Sequence, residues 1–152
     1  LMDTFLVLIP GPFTTVQDKG RFGYQHMGIP LSGALDTYAY RTANLLVGNP
    51  EDSAVLEITI LGPQLAVMKE AYVALTGAEM EMKLNFKPVD LWKSIRVEPG
   101  DHLGIQAVKS GCRGYLAVTG GIAVPEVMGS RSTYVGGKVG GAGKVLVGPE
   151  PG

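Results

Sequence analysis

The sequence has little that could brace the chain covalently or hold a metal. It contains one cysteine, Cys112, and two histidines, His26 and His102. A single thiol excludes an internal disulfide and fits a reducing compartment, so a cytoplasmic location is expected. Two distant histidines and no CxxC pair lack the ligand spacing of a zinc site, and no metal is expected. Each histidine reads instead as a polar or hydrogen-bonding residue. Charge is also sparse: 18% of residues are charged, the formal net charge is -1, and no basic block appears. That argues against a nucleic-acid footprint. No apolar run approaches the ~20 residues of a membrane helix, and no charged segment leads into an apolar core as in a signal peptide. Gly-x-Ser-x-Gly is missing, so there is no nucleophile elbow. GGKVGGAGK lacks the strand–GxxxxGK[ST]–helix setting of a phosphate loop and reads as a mobile loop.

What is present suits a β-rich globular domain. The chain has 152 residues, 45% of them hydrophobic, enough for one domain with a sizeable core. Its 22 glycines and 10 prolines suit many short strands joined by tight turns. Residues 4–9 read as a buried strand, and 13–16 as a short one. Alternation or apolar runs mark further strands at 53–61, 64–68, 71–76, 79–84, 93–97, 102–108 and 113–119. Gly77 is expected to end one of these, and Asn85-Phe86-Lys87-Pro88 to make a hairpin connection. The tail ends in a short apolar run at 144–147. One stretch has helical periodicity. It runs from about Ala34 to Val47, with Ser32 as N-cap, Asp36 in the first turn, and Gly48 then Pro50 as the stop. Eight or nine strands and one substantial helix predict a mainly β fold, a closed or nearly closed β-barrel. The 152 residues are read as a single domain.

Gly11 to Asp36, GPFTTVQDKGRFGYQHMGIPLSGALD, concentrates polar, donor-rich residues among glycines. A loop of this make-up held between regular elements is a common place for binding groups, though shape alone could also require it. Three polar sets stand out. Gln17, Asp18 and Arg21 form one, in which Arg21 could clamp a carboxylate or pair with Asp18. Asp36, Arg41 and Asn44 form another, with Arg41 and Asn44 expected in solvent. The third is Glu57 in an apolar strand, read as facing water, and Arg131 with Ser132.

These blocks, with ANLLVGNPEDSAVLEITILGP, ALTGAE and YLAVTGGIAVPEVMGSRST, resemble the biotin-dependent carboxyltransferase A/B family. That family includes allophanate hydrolase subunit 2, the C component of 5-oxoprolinase and the KipI antagonist, and a similar module lies in urea carboxylase. The blocks occur in the family's order along nearly the whole chain. The resemblance implies a cyclophilin-like β-barrel and a second domain of similar size after this one. It also implies a KipI-like, or allophanate hydrolase subunit 1, partner. The assembled complex would use ATP to open a small amide or lactam substrate. Biotin would be involved only if the protein is urea carboxylase-like. The first family motif falls on Thr14, Thr15, Gln17, Asp18, Gly20 and Arg21. The next falls on Ser32, Gly33, Ala34 and Asp36, and the last on Gly129, Ser130, Arg131 and Ser132. Substrate binding is therefore expected from Gln17, Asp18, Arg21, Ser32, Gly33, Asp36, Arg131 and Ser132. Arg21 and Arg131 would take a planar anion. Ser32, Gln17 and the backbone near Gly33 would hydrogen-bond a carbonyl. Two departures from the family pattern fall at Phe86, where a glycine turn is usual, and at 138–147, which lacks the usual Gly-Arg and Gly-Asp ending. A regulatory binding protein is the alternative class. A prolyl isomerase would need an Arg and aromatic groove signature that the sequence does not show.

Overall fold

A computed structural model describes residues 4–9, 11, 14–18, 36–122, 133–134 and 144–145. The strands are β1 Phe5–Ile9, β2 Thr15–Gln17, β3 Val55–Thr59, β4 Gln64–Val67, β5 Ala71–Glu79 and β6 Met82–Leu84. They continue as β7 Lys87–Val89, β8 Ile95–Val97, β9 His102–Ile105, β10 Ser110–Val118, β11 Thr133–Tyr134 and β12 Lys144–Val145. The helix α1 spans Thr37–Leu46.

The strands form two antiparallel six-stranded sheets, β12-β1-β4-β9-β6-β7 and β11-β2-β3-β10-β5-β8. We call them the first and second sheet. In the second, β3, β10 and β5 are neighbours; in the first, so are their continuations β4, β9 and β6. Three long strands thus pass from one sheet to the other around a common corner. The ladder continues through it. Val108 N–H donates to Ile60 O at 2.7 Å, Lys109 N–H to Glu79 O at 2.7 Å, and Gln106 N–H to Glu81 O at 2.8 Å. Leu61 and Ala107 form a bridge there. Gly62 suits this bend, because a Cβ on it would collide with the Ile105 side chain.

The expected closed barrel is corrected by this arrangement. Among the described residues each sheet keeps its own end strands, β12 and β7 in one and β11 and β8 in the other. Closure would need these ends to pair. Each is only two or three residues long, which gives little ladder to close with.

Side-chain alternation on the second sheet builds two cores. Leu56 and Ile58 of β3, Val73 and Leu75 of β5, and Leu116 and Val118 of β10 face inward. They meet Phe5, Leu65, Val67, Met82, Leu103 and Ile105 of the first sheet. The opposite face carries Val55, Ala74, Tyr115 and Ala117, covered by Ala39, Tyr40, Ala43 and Val47 at α1. The order is helix, second sheet, core, first sheet.

The helix begins later than its periodicity suggests. Asp36 is non-helical (φ -104°) and acts as N-cap, its Oδ1 accepting from Ala39 N–H at 2.9 Å. A short carboxylate suits that role as well as serine does. Asn44, expected in solvent, is buried. Its Nδ2 donates to Ser53 O (2.9 Å) and Glu51 O (3.3 Å), and its Oδ1 accepts from Asn49 (3.3 Å), tying the helix end to the β3 approach. The apolar run at residues 4–9 implies a fully buried strand, yet Leu8 and Ile9 of β1 are exposed.

Gly77 does not end its strand. β5 runs on to Glu79, and the pairing with β10 shifts register between Ser110 and Gly114. Gly77 takes φ +96°, and a Cβ there would collide with Arg113 O. The glycine permits a bulge rather than a stop. A hairpin connection does follow β6, but it is tighter than the expected 85–88: Asn85 and Phe86 alone turn, both left-handed (φ 53° and 67°), and Lys87 and Pro88 already belong to β7. Phe86 therefore adopts the conformation for which glycine is usual, stacked on His102 with ring centroids 4.6 Å apart.

Candidate functional site: a buried polar row beneath the helix start

The helix-facing side of the second sheet changes character near the N-terminus of α1. Register places Thr15 of β2 opposite Glu57 of β3, Glu57 opposite Tyr115 of β10, and Tyr115 opposite Thr76 of β5. Four polar side chains thus stand in one row across four strands. On the same face, Gln17 lies one step along β2, level with Val55, and Arg113 one step along β10 in the opposite direction, level with Thr59. Glu57 is 1% exposed; Gln17, Tyr115 and Thr76 are fully buried.

The row is partly satisfied from within. Gln17 Nε2 donates to Thr15 Oγ1 at 2.9 Å. Arg113 Nη1 donates to Glu57 Oε1 at 2.9 Å. Thr76 Oγ1 donates to Ala39 O of the helix at 2.7 Å. The Asp36 N–H donates to the Tyr115 hydroxyl at 3.2 Å, which joins the helix cap to the row. Three buried atoms in and beside the row have no hydrogen-bond partner among the described residues: Gln17 Oε1 on one side, Glu57 Oε2 within it, and Arg113 Nε on the other side. The Arg113 side chain is 25% exposed, so the row reaches solvent at that end.

Burial dominates the electrostatics. It pushes the Glu57 carboxyl above its ordinary range, opposed by the Arg113 guanidinium and more weakly by the Tyr115 hydroxyl. The Tyr115 phenol is likewise held well above its usual value, chiefly by burial. Among the described residues, no group of three or more His, Cys, Asp or Glu is placed to hold a metal. No described helix is long and apolar enough to cross a membrane.

Of the site residues expected from sequence, Gln17 lies beside the row, one step from Thr15 on β2. Asp18 follows it, half-buried, and Asp36 caps the helix above. Arg21, Ser32, Gly33, Arg131 and Ser132 lie outside the described residues. Thr133, which follows Ser132, pairs with Val16, which precedes Gln17, so β11 enters beside β2. Glu57, expected to face water, does not, and that expectation is corrected: α1 covers its face of the sheet. Sequence reasoning missed Arg113 and Tyr115. The available signal was a charged residue between apolar neighbours in two strands buried on both faces.

This corner-folded domain has solved counterparts. The crystal structure of the K. lactis urea amidolyase matches with a TM-score of 0.80 and 44% identity, covering 95% of this chain and 9% of that one. The model of the carboxyltransferase domain, subdomain A and B, matches residues 27–148. The chain belongs to that family. Among curated relatives, urea amidolyase of Lachancea kluyveri is 46% identical over 144 residues, 93% of this chain and 8% of that protein. The C component of the Escherichia coli 5-oxoprolinase is 42% identical over 135 residues, 89% of this chain and 44% of that protein. The chain thus spans less than half the length of either relative.

Proposed function

We propose that the chain is the first domain of a component of an ATP-dependent amide or lactam hydrolase, of the 5-oxoprolinase C or allophanate hydrolase subunit 2 type. It would work with a KipI-like, subunit 1 partner. The observation that carries this reading is the 42% identity to the C component of 5-oxoprolinase across 89% of the chain. The buried row next to the first motif supports it, because Thr15 belongs to both and Gln17 adjoins the row. Substrate contacts would come from Gln17, Asp18, Arg21, Ser32, Gly33, Asp36, Arg131 and Ser132. Arg113, the cation of the row, is already engaged by Glu57, so this reading gives ATP to the partner. A cyclophilin-like description of the two folded sheets, and a cytoplasmic location, belong to the same reading.

The 46% identity to urea amidolyase favours a second reading, the carboxyltransferase module of a urea carboxylase-like enzyme, in which biotin would carry the carboxyl group. One assay separates the two. The protein is reconstituted with the second half and a subunit 1 partner, and ADP release is followed with 5-oxoproline or with urea. The first reading expects 5-oxoproline-dependent turnover, none from the isolated chain, and near-complete loss in Arg21→Ala with little change in stability. Turnover with urea alone favours the second. ATP-independent binding of the partner with neither substrate consumed would make the chain a regulator.

A further inference from the structure

We propose that the outer stripe of α1, with Trp92 beside its first turn, is a docking surface for a helix of another protein, one that carries an Asp or Glu between two apolar side chains. In the proposed function that protein is the subunit 1 partner, and the inference rests on that reading for the partner's identity alone. Tyr38, Arg41 and Leu45 follow the i, i+3, i+7 spacing of one helix face, and all three are exposed. The opposite face of the helix packs on the second sheet through Ala39, Tyr40 and Ala43. Trp92, the chain's single tryptophan, is also exposed and stands against Tyr38 with ring centroids 6.1 Å apart. Tryptophan, tyrosine and arginine are the side chains that most often carry binding energy at protein interfaces.

Trp92 is held there by a strained backbone. It lies in the connection between β7 and β8 with φ 57°, a left-handed conformation that disfavours a bulky side chain. Its N–H donates to Leu75 O at 2.8 Å, which fixes it to the edge of β5. Strained residues cluster at binding surfaces, where the surrounding structure over-determines them. Charge then selects the occupant. Arg41 enters none of the ion pairs formed among the described residues. Its charged neighbours are engaged elsewhere: Lys93 contacts Asp90 at 3.5 Å, and Asp36 caps the helix. Arg41 therefore presents an uncompensated positive charge between two apolar side chains, which a carboxylate completes. A second copy of this chain does not. Arg41 lies midway between Tyr38 and Leu45, so twofold pairing of the stripe with itself would set Arg41 against Arg41. The stripe is about 10 Å long at 1.5 Å per residue, a length that one facing helix can follow.

The test uses the full-length protein and the purified subunit 1 partner. Isothermal titration calorimetry at low and high salt gives the affinity, and hydroxyl-radical footprinting follows Tyr38 and Trp92 with and without the partner. In the wild type the partner should protect both rings. Tyr38→Ala and Trp92→Gly, the latter suited to the left-handed backbone, should each weaken binding about thirtyfold. Arg41→Glu should weaken it about a hundredfold, and Arg41→Gln should flatten its salt dependence. Phe86→Gly, in the first-sheet hairpin on the side away from α1, should bind as the wild type does. If Tyr38→Ala or Trp92→Gly fails to fold, the Arg41 variants, which alter one exposed side chain, still decide.

Wild-type affinity in the Arg41 variants, or no protection of Tyr38 and Trp92 in the complex, overturns the docking surface and leaves the proposed partnership standing. Protection of both rings in the full-length protein alone assigns the stripe to the rest of its own chain, and self-association lost in Arg41→Glu assigns it to a second copy; each overturns the proposal. No complex with subunit 1 overturns it too, and removes that partner from the proposed function. A complex that depends on Arg41 but consumes neither 5-oxoproline nor urea keeps the docking surface and removes the proposed function.

Discussion

Arg113→Met tests the buried pair most directly. It keeps the aliphatic stem and removes the guanidinium. Glu57, 1% exposed, then loses the 2.9 Å bond to its Oε1. Breaking a buried pair from one side costs about 3–5 kcal/mol. The Arg113 side chain is 25% exposed, so water can reach the vacated side and the low end, about 3 kcal/mol, applies. That is a large part of the roughly 5–15 kcal/mol typical of a domain. The loss should depend on pH. Glu57 already has a folded-state pKa above its ordinary value, because burial outweighs Arg113. The folded state therefore binds its proton more tightly than the unfolded state does. Its stability contribution is fully present below the unfolded pKa and falls as pH rises through the folded value. Removing the cation raises the folded pKa further, so the difference between wild type and Arg113→Met should widen with pH. Its slope is at most about 1.4 kcal/mol per pH unit for one proton. Urea unfolding monitored by circular dichroism from about pH 4 to pH 8 measures this. Glu57→Gln should flatten the wild-type slope, and Glu57→Gln with Arg113→Met should be more stable at the alkaline end than Arg113→Met alone. A penalty for Arg113→Met as large at the acid end as at the alkaline end would refute the reasoning.

Two other substitutions probe what positions the row. Gly77→Ala meets a positive φ and a clash with Arg113 O; a loss of about 2 kcal/mol or more is expected in thermal unfolding, and an unchanged midpoint would show that β10 yields freely. Asn44→Ala removes the bonds to Glu51, Ser53 and Asn49 and should cost about 2–3 kcal/mol, checked by denaturant titration and by faster amide exchange at the C-terminal end of α1.

Most strands were legible because their turns are. Gly62-Pro63, Asn85-Phe86 and Pro99-Gly100 interrupt the apolar pattern where the chain does turn. Gly77 shows the limit. A glycine inside a strand marks a stop or a bulge equally well, and only the partner strand decides. The helix is marked by its periodicity, but its start depends on which of two capping residues, Ser32 or Asp36, accepts the amide. Asp36 does so with its Oδ1. Glu57 misleads for a tertiary reason. A Glu flanked by Leu56 and Ile58 implies one wet face, unless another element covers that face, and α1 does. Arg113 and Tyr115 join Glu57 through pairing between strands more than fifty residues apart in sequence, a separation no local pattern carries. Asn44 misleads similarly, since its partners lie beyond the helix.

The alternation on β3 also governs which changes in chain length the domain can tolerate. Within five residues, Leu56 and Ile58 serve the core between the sheets, and Val55 and Glu57 serve the helix side. Inserting or deleting one residue before Val55 would exchange the two sets unless a bulge absorbed it. Glu57 would then enter the hydrophobic interior while two aliphatic side chains replaced it under the helix. Substitutions can alter one face and spare the other, but a single-residue length change in β3 strikes stability and the polar row together. Viable length variation in this segment should therefore come in pairs of residues.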